Sequence, residues 1–183
     1  ARFRTQKIPS GIKVIRPDEL DTVWTRLFDM SSYKRVHHIG DIHGCNTALQ
    51  KYLADNGGIK DDEMYIFVGD YIDRGLENVE VVRFLMSVMN RKNVLMLEGN
   101  HERWLWHWAN DATGRSKEFE LVTRPALDAA GLDKKQVRQL YRKFGQCAYY
   151  RYNDKIFLVT HAGLSTLPEN ISFVATEQMI KGV

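Results

Sequence analysis

Four short polar runs in this chain combine glycine with side chains that bind metal ions. They read Gly-Asp-Ile-His-Gly at 40–44, Gly-Asp-Tyr-Ile-Asp-Arg-Gly at 69–75, Gly-Asn-His-Glu at 99–102 and His-Ala-Gly at 161–163. Carboxylate and carboxamide oxygens together with imidazole nitrogens suit Mn, Fe or Zn ions, and Mn is the favoured prediction. Two such ions about 3.5–4 Å apart can hold a phosphate between them and generate hydroxide near neutral pH. The residue types therefore predict a two-metal phosphoesterase site.

The predicted ligands divide between two ions. Asp41 and His43 are two residues apart, so they point to the same side of an extended segment and can bind one ion. Asn100 and His161 are assigned to the other ion, and the carboxylate of Asp70 can bridge both. The predicted metal ligands are therefore Asp41, His43, Asp70, Asn100 and His161.

Three further residues are predicted to act on the substrate. His101 directly follows a predicted ligand, cannot easily bind the same ion, and is better placed to protonate the oxygen of the leaving group. Asp73 can orient that imidazole and raise its pKa. Arg74 carries a planar fork of N–H donors that matches phosphate oxygens. The predicted catalytic residues are His101, Asp73 and Arg74, and the predicted phosphate contacts are Arg74, Asn100 and His101.

Regular elements must hold these residues in place. Buried strands alternate with amphipathic helices from residue 35 onward, which predicts an α/β fold with a largely parallel sheet. Ligands of open α/β sheets bind beyond the carboxyl ends of the strands, so the runs at those ends should meet in one crevice. The glycines permit positive φ angles and close backbone approach there. The predicted strands are 35–39, 64–68 and 93–97, and the predicted helices are 47–56, 79–89 and 102–109, the first with a capping box at Thr47–Gln50.

The second half of the chain adds an insert and a hairpin. Residues 112–145 are polar and helical without a strand pattern, which predicts a helical insert. Residues 147–152 and 156–160 are rich in β-forming side chains and flank Asn153-Asp154, a dipeptide suited to a tight turn. They predict a β-hairpin.

The composition is that of a globular protein with an ordinary charge balance. The chain has 183 residues, of which 44% are hydrophobic and 27% charged, and a net charge of +3. No apolar run is long enough to span a membrane. Two distant cysteines, Cys45 and Cys147, predict reduced thiols and a cytoplasmic location, with a single disulfide as the alternative. Residues 115–155 carry ten Lys or Arg against five Asp or Glu. That excess could face a phosphate-rich ligand, although a solvated helical face is the more common explanation.

In their order and spacing, the four runs resemble the calcineurin-like metallophosphoesterase superfamily, and the Asp-Arg-Gly and Asn-His-Glu forms are similar to its phosphoprotein-phosphatase branch. The resemblance spans about residues 35–165. It implies a metallophosphoesterase-type β-sandwich flanked by helices. It also implies the same division of metal ligands, with His101 as the acid, Asp73 as its partner and Arg74 on the phosphate.

One departure from this resemblance concerns a further histidine ligand that members of the superfamily carry downstream of His-Ala-Gly. No histidine follows His161 in this chain. The second metal site is therefore expected to be one ligand short. We also expect a piece of a longer polypeptide, with a lead-in segment at 1–34 and a metallophosphoesterase domain at 35–183 that is truncated at its C-terminus.

The segments that flank the runs are similar to those of bacterial and phage polynucleotide kinase-phosphatases, at 13–20, 33–39 and 176–182. This similarity implies a nucleic-acid repair enzyme that removes 2′-, 3′- or 2′,3′-cyclic phosphate from polynucleotide ends, RNA above all. Its partners would be phosphorylated nucleic-acid ends and covalent neighbour domains, without a membrane. The alternatives are a serine/threonine protein phosphatase, a dinucleoside polyphosphate hydrolase, and a binding module with impaired catalysis.

Several aromatic and basic residues near the runs leave two interpretations open. Trp104 and Trp108 share one helix face and are expected in the core, with base stacking as the alternative. Arg103 is either a substrate contact or an exposed charge. His37 and His38 precede the first run, and we expect one to pack in the sheet and the other to face a helix.

Overall fold

The computed structural model describes residues 27–112, 116–165 and 174–182. Most of the lead-in predicted at 1–34 therefore lies outside the described residues. The strands are β1 (Phe28–Asp29), β2 (Val36–Ile39), β3 (Met64–Phe67), β4 (Val94–Leu97), β5 (Phe144–Gly145), β6 (Cys147–Tyr152) and β7 (Lys155–Thr160). The helices are α1 (Asn46–Asp55), α2 (Asn78–Val88), α3 (Glu102–Ala109), a π-helix (Phe119–Thr123), α4 (Arg124–Ala129), α5 (Lys134–Tyr141) and α6 (Thr176–Lys181).

Two sheets form the predicted α/β sandwich. Strands β2, β3, β4 and β5 pair in that order, all parallel, so their carboxyl ends lie along one edge. The second sheet has the order β1-β6-β7, with β6 and β7 antiparallel. Tyr152 pairs with Lys155 around Asn153, whose φ of 53° is the left-handed conformation of a tight turn. The α/β prediction and the hairpin prediction are confirmed.

Strand β3 lies between the two layers of the core. Its side chains alternate, because successive residues of a strand point to opposite faces. Tyr65 and Phe67 pack against the helices, whereas Met64 and Ile66 pack between the sheets together with Tyr150 of β6. Burial of each such side chain stabilises the fold by roughly 1.5–3 kcal/mol. Packing on both faces therefore fixes the position of β3 and of the point where the following loop begins.

The predicted helical insert is present, but it is not helical throughout. Helix α5 packs on α2 and α3, and α4 packs on α2. Leu127, Val137 and Leu140 of these helices are fully buried in the main core. Residues 144–145, predicted as part of the insert, instead form β5 beside the end of β4. A two-residue strand has no periodicity that the sequence could reveal.

The predicted capping box at Thr47–Gln50 is wrong. Helix α1 begins at Asn46, and Cys45 before it makes no side-chain cap. The Thr47 backbone N–H donates instead to Glu77 Oε2 at 2.8 Å, and the Thr47 hydroxyl donates to the same carboxylate. A carboxylate at the first turn satisfies free N–H groups and the helix dipole. The cap is therefore a tertiary contact that ties α1 to the start of α2.

Strand β1 shows that the last residues of the predicted lead-in pack on the second sheet. Phe28 and Asp29 pair with Tyr150 and Arg151 of β6, and Met30 is buried between the sheets. None of the helices within the described ranges has both the length and the apolar character needed to cross a membrane.

Candidate metal centre

The carboxyl ends of β2, β3 and β4 meet the end of β7 from the other sheet. This convergence brings the predicted ligands together around Asp70. The Nε2 atom of His43 is 3.8 Å from Asp41 Oδ2 and 3.5 Å from Asp70 Oδ2. The Nε2 atom of His161 is 3.4 Å from Asp70 Oδ1 and 3.3 Å from Asn100 Oδ1. One carboxylate thus faces two imidazoles, with one oxygen toward each.

The first run is a turn, not the extended segment that the sequence predicted. His43 has a φ of 44°, and the N–H groups of Ile42 and His43 both donate to the Asp70 carbonyl, at 3.0 and 2.9 Å. These two bonds dock the turn on the loop after β3. Asp41 and His43 still approach each other, but the neighbouring loop achieves this and strand alternation does not.

Glycine is required where the loops after β3 and β4 touch. Gly69 has a φ of 102°, and a Cβ added there would lie 2.6 Å from the Gly99 nitrogen. A Cβ at Gly99 would lie 2.3 Å from the backbone nitrogen of Asp70 and equally close to Asp70 Oδ1. No side chain fits at either position. The close contact places Asp70 directly beside Asn100.

The tautomers of two histidines test whether a metal ion fits this site. His43 Nδ1 lies 3.1 Å from the Ile72 carbonyl, and His161 Nδ1 lies 2.9 Å from the Val68 carbonyl. A carbonyl oxygen only accepts, so Nδ1 carries the hydrogen in each ring. In the neutral rings the Nε2 lone pairs then face the oxygens of Asp70. A lone pair directed at a carboxylate needs a proton or a metal ion between the two groups, and this donor set of imidazole and oxygen fits divalent metal ions.

The grouping of the ligand atoms differs in part from the prediction. Ligand atoms of His43, Asp70 and His101 all lie within 4.8 Å of one another. Asp41, predicted as their companion, lies at the exposed margin with 56% of its side chain accessible. His101 therefore borders the candidate metal centre more closely than its predicted role as an acid requires.

A buried hydrogen bond joins His101 to Asp73. Its length, from His101 Nδ1 to Asp73 Oδ2, is 2.7 Å, and Asp73 is fully buried. The hydrogen bond that His101 donates to Asp73 raises the pKa of His101 above its ordinary value, against the opposing effect of burial. The other ring nitrogen, Nε2, faces the crevice, 3.9 Å from Asp70 Oδ2. The pair can hold a proton at the mouth of the site.

Hydrogen bonds also shift the pKa values of Asp70 and His161, which face each other across the centre. Burial disfavours the charged carboxylate of Asp70, but hydrogen bonds from His161 and from the His101 backbone N–H lower its pKa on balance. The hydrogen bond to Asp70 raises the pKa of His161. The centre thus favours the charged form of the Asp70 carboxylate.

Glu102 is a site residue to which the sequence analysis gave no role. Its fully buried carboxylate accepts the backbone N–H groups of Asp70, Tyr71 and Gly99, at 2.9, 2.8 and 2.7 Å. Burial raises the pKa of Glu102 to about 7, although these three bonds favour the charged form. The carboxylate clamps the loop after β3 to the loop after β4. Its place at the end of the third run was the only signal in the sequence.

The margin of the site carries cationic side chains. Arg74 is exposed, and its guanidinium makes no hydrogen bond or ion pair within the described ranges. Its backbone N–H donates to Glu118 at 2.7 Å. Arg103, Trp104 and Lys181 line a depression beside Asn100. Both features offer positive charge next to the candidate metal centre.

The tryptophans of α3 divide between core and margin. Trp108 is buried, as predicted, and its indole N–H donates to Asp128 at 2.8 Å. Trp104 is only half-buried, and the Arg103 guanidinium lies 4.9 Å from its ring centroid. The core prediction is thus confirmed for Trp108 and only in part for Trp104.

A layered α/β fold with acidic and imidazole ligands at the strand ends defines a class of metal-dependent phosphoesterases. The family model for calcineurin-like phosphoesterases matches residues 34–180, and the chain belongs to this family.

Known proteins of two kinds are similar to this chain. It is 43% identical over 103 residues to serine/threonine-protein phosphatase C23G10.1 of Caenorhabditis elegans, which covers 55% of this chain and 22% of that protein. It is 27% identical over 140 residues to the asymmetrical bis(5′-nucleosyl)-tetraphosphatase PrpE of Halalkalibacterium halodurans, a match that covers 69% of this chain and 56% of that protein. A solved structure of a serine/threonine phosphatase from Saccharomyces cerevisiae is 15% identical and has a TM-score of 0.47. The match covers 84% of this chain and 47% of that one. The chain spans less than two thirds of the length of each.

Proposed function

We propose that this chain hydrolyses phosphate esters with two divalent ions, held by Asp41, His43, Asp70, Asn100 and His161. The observation that carries this proposal is the Asp70 carboxylate, whose two oxygens each face the Nε2 atom of a different histidine. Divalent ions bound there would polarise the phosphate oxygens and lower the pKa of a bound water molecule.

His101 is the proposed general acid. When the bond between phosphorus and the leaving oxygen breaks, that oxygen takes the proton from Nε2, the nitrogen that faces the crevice. Asp73 accepts a hydrogen bond from Nδ1–H of His101 and holds the ring in this orientation. The hydrogen bond to Asp73 raises the pKa of His101 above its ordinary value, which favours the protonated ring that an acid needs.

Arg74 is proposed to orient the phosphate, together with Asn100 and His101. Its guanidinium is exposed at the margin of the site and its five N–H donors match phosphate oxygens in pairs. The φ of 65° at Arg74 is unusual for a side chain of this size, and strained backbone of this kind is typical of functional loops.

Hydrolysis of p-nitrophenyl phosphate with added Mn²⁺ tests the reaction. The Asp70→Asn variant should lose about 10³-fold in kcat/KM, because it disturbs both ion sites at once. Asp55→Asn is the matched control, since Asp55 is an exposed carboxylate paired with Lys51 on α1. Parallel assays with Zn²⁺ and Fe²⁺ identify the preferred metal. Full activity in the Asp70 variant would overturn the proposal.

For the substrate, we propose phosphorylated nucleic-acid ends, RNA above all, with this chain as part of a longer kinase-phosphatase. The similarity of the flanking segments supports this, and so does the depression lined by Arg103, Trp104 and Lys181, which suits a phosphate and a base. The basic stretch at 115–155 adds less support than its composition indicates. Several of its cations are already paired, as Arg124 is with Glu120.

The names of the relatives support the two alternatives, a serine/threonine protein phosphatase and a dinucleoside polyphosphate hydrolase. Release of phosphate should therefore be compared among a 3′-phosphorylated RNA, a 2′,3′-cyclic phosphate RNA, a phosphopeptide and diadenosine tetraphosphate. We expect the RNA ends to give the highest kcat/KM, and the Arg103→Ala variant to lose that preference. Cleavage of the phosphopeptide alone would exclude the nucleic-acid proposal, and cleavage of no substrate would favour the impaired binding module.

A further inference from the structure

The helical insert contributes a hydroxyl to the acid pair. Thr123 Oγ1 donates a hydrogen bond of 2.5 Å to Asp73 Oδ1, while Asp73 Oδ2 is bonded to His101. Thr123 and Asp73 are both completely inaccessible to solvent. The two oxygens of the Asp73 carboxylate are thus held by two side chains that lie on different parts of the fold.

The local helix geometry explains why Thr123 reaches the site. Residues Phe119–Thr123 form a π-helix, in which the Arg124 N–H donates to the Phe119 carbonyl five residues earlier. Pro125 opens the following helix. Proline has no N–H, and its ring clashes with the carbonyl four residues before it, that of Leu121, so an ordinary α-helical turn is disfavoured there. Such wide turns occur frequently at functional sites. The buried ring of Phe119 anchors the turn in the core.

The same segment also holds the residue after Asp73. Glu118 Oε1 accepts the backbone N–H of Arg74 at 2.7 Å. Asp73 and Arg74 have φ angles of 70° and 65°, which residues with side chains rarely adopt. Two consecutive strained residues need contacts that fix them. The insert provides one such contact to each residue.

We propose that Thr123 is a positioning residue for proton donation, and that the insert carries it for this purpose. The hydroxyl holds the Asp73 carboxylate in the rotamer that binds His101 Nδ1, so His101 presents Nε2 to the leaving group. This inference rests on the proposed function, in which His101 is the acid. It assigns to the insert a catalytic task that none of the four runs encodes.

Leaving-group dependence separates positioning from simple structural support. Thr123→Val removes the hydroxyl at nearly constant shape, and Thr123→Ser keeps it. Protonation matters greatly for an alkyl phosphate and little for p-nitrophenyl phosphate, whose leaving group departs as an anion. We expect Thr123→Val to lower kcat about 10-fold or more for the alkyl ester and less than about 3-fold for the nitrophenyl ester. Thr123→Ser should keep the wild-type ratio of kcat for the alkyl ester to kcat for the nitrophenyl ester. An equal loss on both esters would overturn the proposal.

A second measurement does not need activity. The Nδ1–H proton of His101 should give a downfield NMR resonance because it is bonded to a carboxylate, and it should vanish in His101→Asn. Thr123→Val should shift or broaden this resonance, whereas Thr123→Ser should leave it in place. An unchanged resonance in Thr123→Val would exclude positioning by the hydroxyl.

The two measurements also separate failure of the inference from failure of the proposed function. If the wild-type chain hydrolyses neither ester, the proposed function fails, and the NMR result alone decides whether Thr123 positions the pair. If the wild type is active and Thr123→Val keeps both its leaving-group ratio and the resonance, the proposed function stands and the inference is wrong.

Discussion

Two buried histidine–carboxylate pairs lie at opposite ends of the parallel sheet. At the amino end, His37 Nε2 is 2.8 Å from Glu63 Oε2. At the carboxyl end, His101 Nδ1 is 2.7 Å from Asp73 Oδ2. The two bonds are nearly the same length, and each histidine is at most 9% exposed. Distance and burial alone do not distinguish a structural pair from a functional one.

The free ring nitrogen distinguishes them. The second nitrogen of His37 is bonded to the Tyr52 hydroxyl of α1 at 2.7 Å, and the ring stacks on Tyr65 with centroids 4.5 Å apart. Glu63 also binds Arg35. Every polar atom of this pair is occupied, which leaves no nitrogen for chemistry. The second nitrogen of His101 makes no hydrogen bond to any residue that the structure describes; it lies 3.9 Å from Asp70 Oδ2 and faces the crevice.

The largest contrast should come from the histidines themselves. His101→Asn should lower kcat by about 10²- to 10⁴-fold, as loss of a general acid does. Because Asp73 is as deeply buried as Glu63, this variant should also lose several degrees in melting temperature. His37→Asn should lower the melting temperature by several degrees, because its partner Glu63 is buried, and leave kcat of the folded protein within a few-fold of wild type. Steady-state kinetics and thermal unfolding of both variants measure the two effects. Reversal of this pattern would show that the roles of the two ends are misassigned.

The arginines beside the pairs should sharpen the same contrast at a smaller scale. Arg74 is exposed at the site, whereas Arg35 binds Glu63. Arg74→Ala should lower kcat/KM about 10- to 100-fold, the equivalent of one charge-assisted hydrogen bond of about 1.5–3 kcal/mol. Arg35→Ala should leave kcat/KM unchanged. Phosphate competition assays give a second reading, since only Arg74→Ala should weaken inhibition by inorganic phosphate. Equal inhibition of wild type and Arg74→Ala would contradict a phosphate contact.

Metal binding should couple to stability at only one end. An ion that binds the folded chain adds about 2.7 kcal/mol at 100 times its dissociation constant. A chelator should therefore lower the melting temperature of the wild type. The same chelator should have little effect on Asp70→Asn, in which the bridging carboxylate is lost, and its full effect on the control His37→Asn. A chelator effect that is equal in wild type and Asp70→Asn would place the ion elsewhere.

That the candidate ligands lie near one another could be expected from the sequence, whereas their role as ligands stays a prediction. Asp41, Asp70 and Asn100 each follow a strand, and parallel neighbouring strands must end at the same edge. His161 joins them because the hairpin carries it to the facing sheet. Once the strands are assigned, little freedom remains for these residues.

What the sequence did not reveal depends on contacts between distant segments. Thr123 is 50 residues from Asp73, and Glu77 is 30 residues from the Thr47 that it caps. Neither residue stands in a pattern, because a hydroxyl or a carboxylate on a polar helix is the common case. Glu102 is part of the third run in the sequence. Its role as a clamp follows only from the contact between the loops after β3 and β4, whose backbone N–H groups it accepts.

The smallest expected effect is the pH dependence of stability that Glu63 introduces. The hydrogen bond from His37, followed by those from Tyr65 and Arg35, lowers the pKa of Glu63 from 4.5 to about 2 against the effect of burial. The folded chain then binds fewer protons here than the unfolded chain between these two values, so stability from this group is complete above pH 4.5 and declines as pH falls toward 2. Chemical denaturation in this range should show a weaker decline for Glu63→Gln than for wild type.

An exposed glutamate of α2, Glu80, supplies the matched control, because Glu80→Gln should keep the wild-type decline. Glu102 should act with the opposite sign in the metal-free protein. Burial raises its pKa from 4.5 to about 7, so its contribution is complete below pH 4.5 and declines as pH rises toward 7. A carboxylate with cationic partners at one end of the sheet and one with only amide partners at the other should therefore give opposite slopes. If stability changed with pH in the same direction for both groups, the pKa of Glu63 would not be lowered in the folded chain.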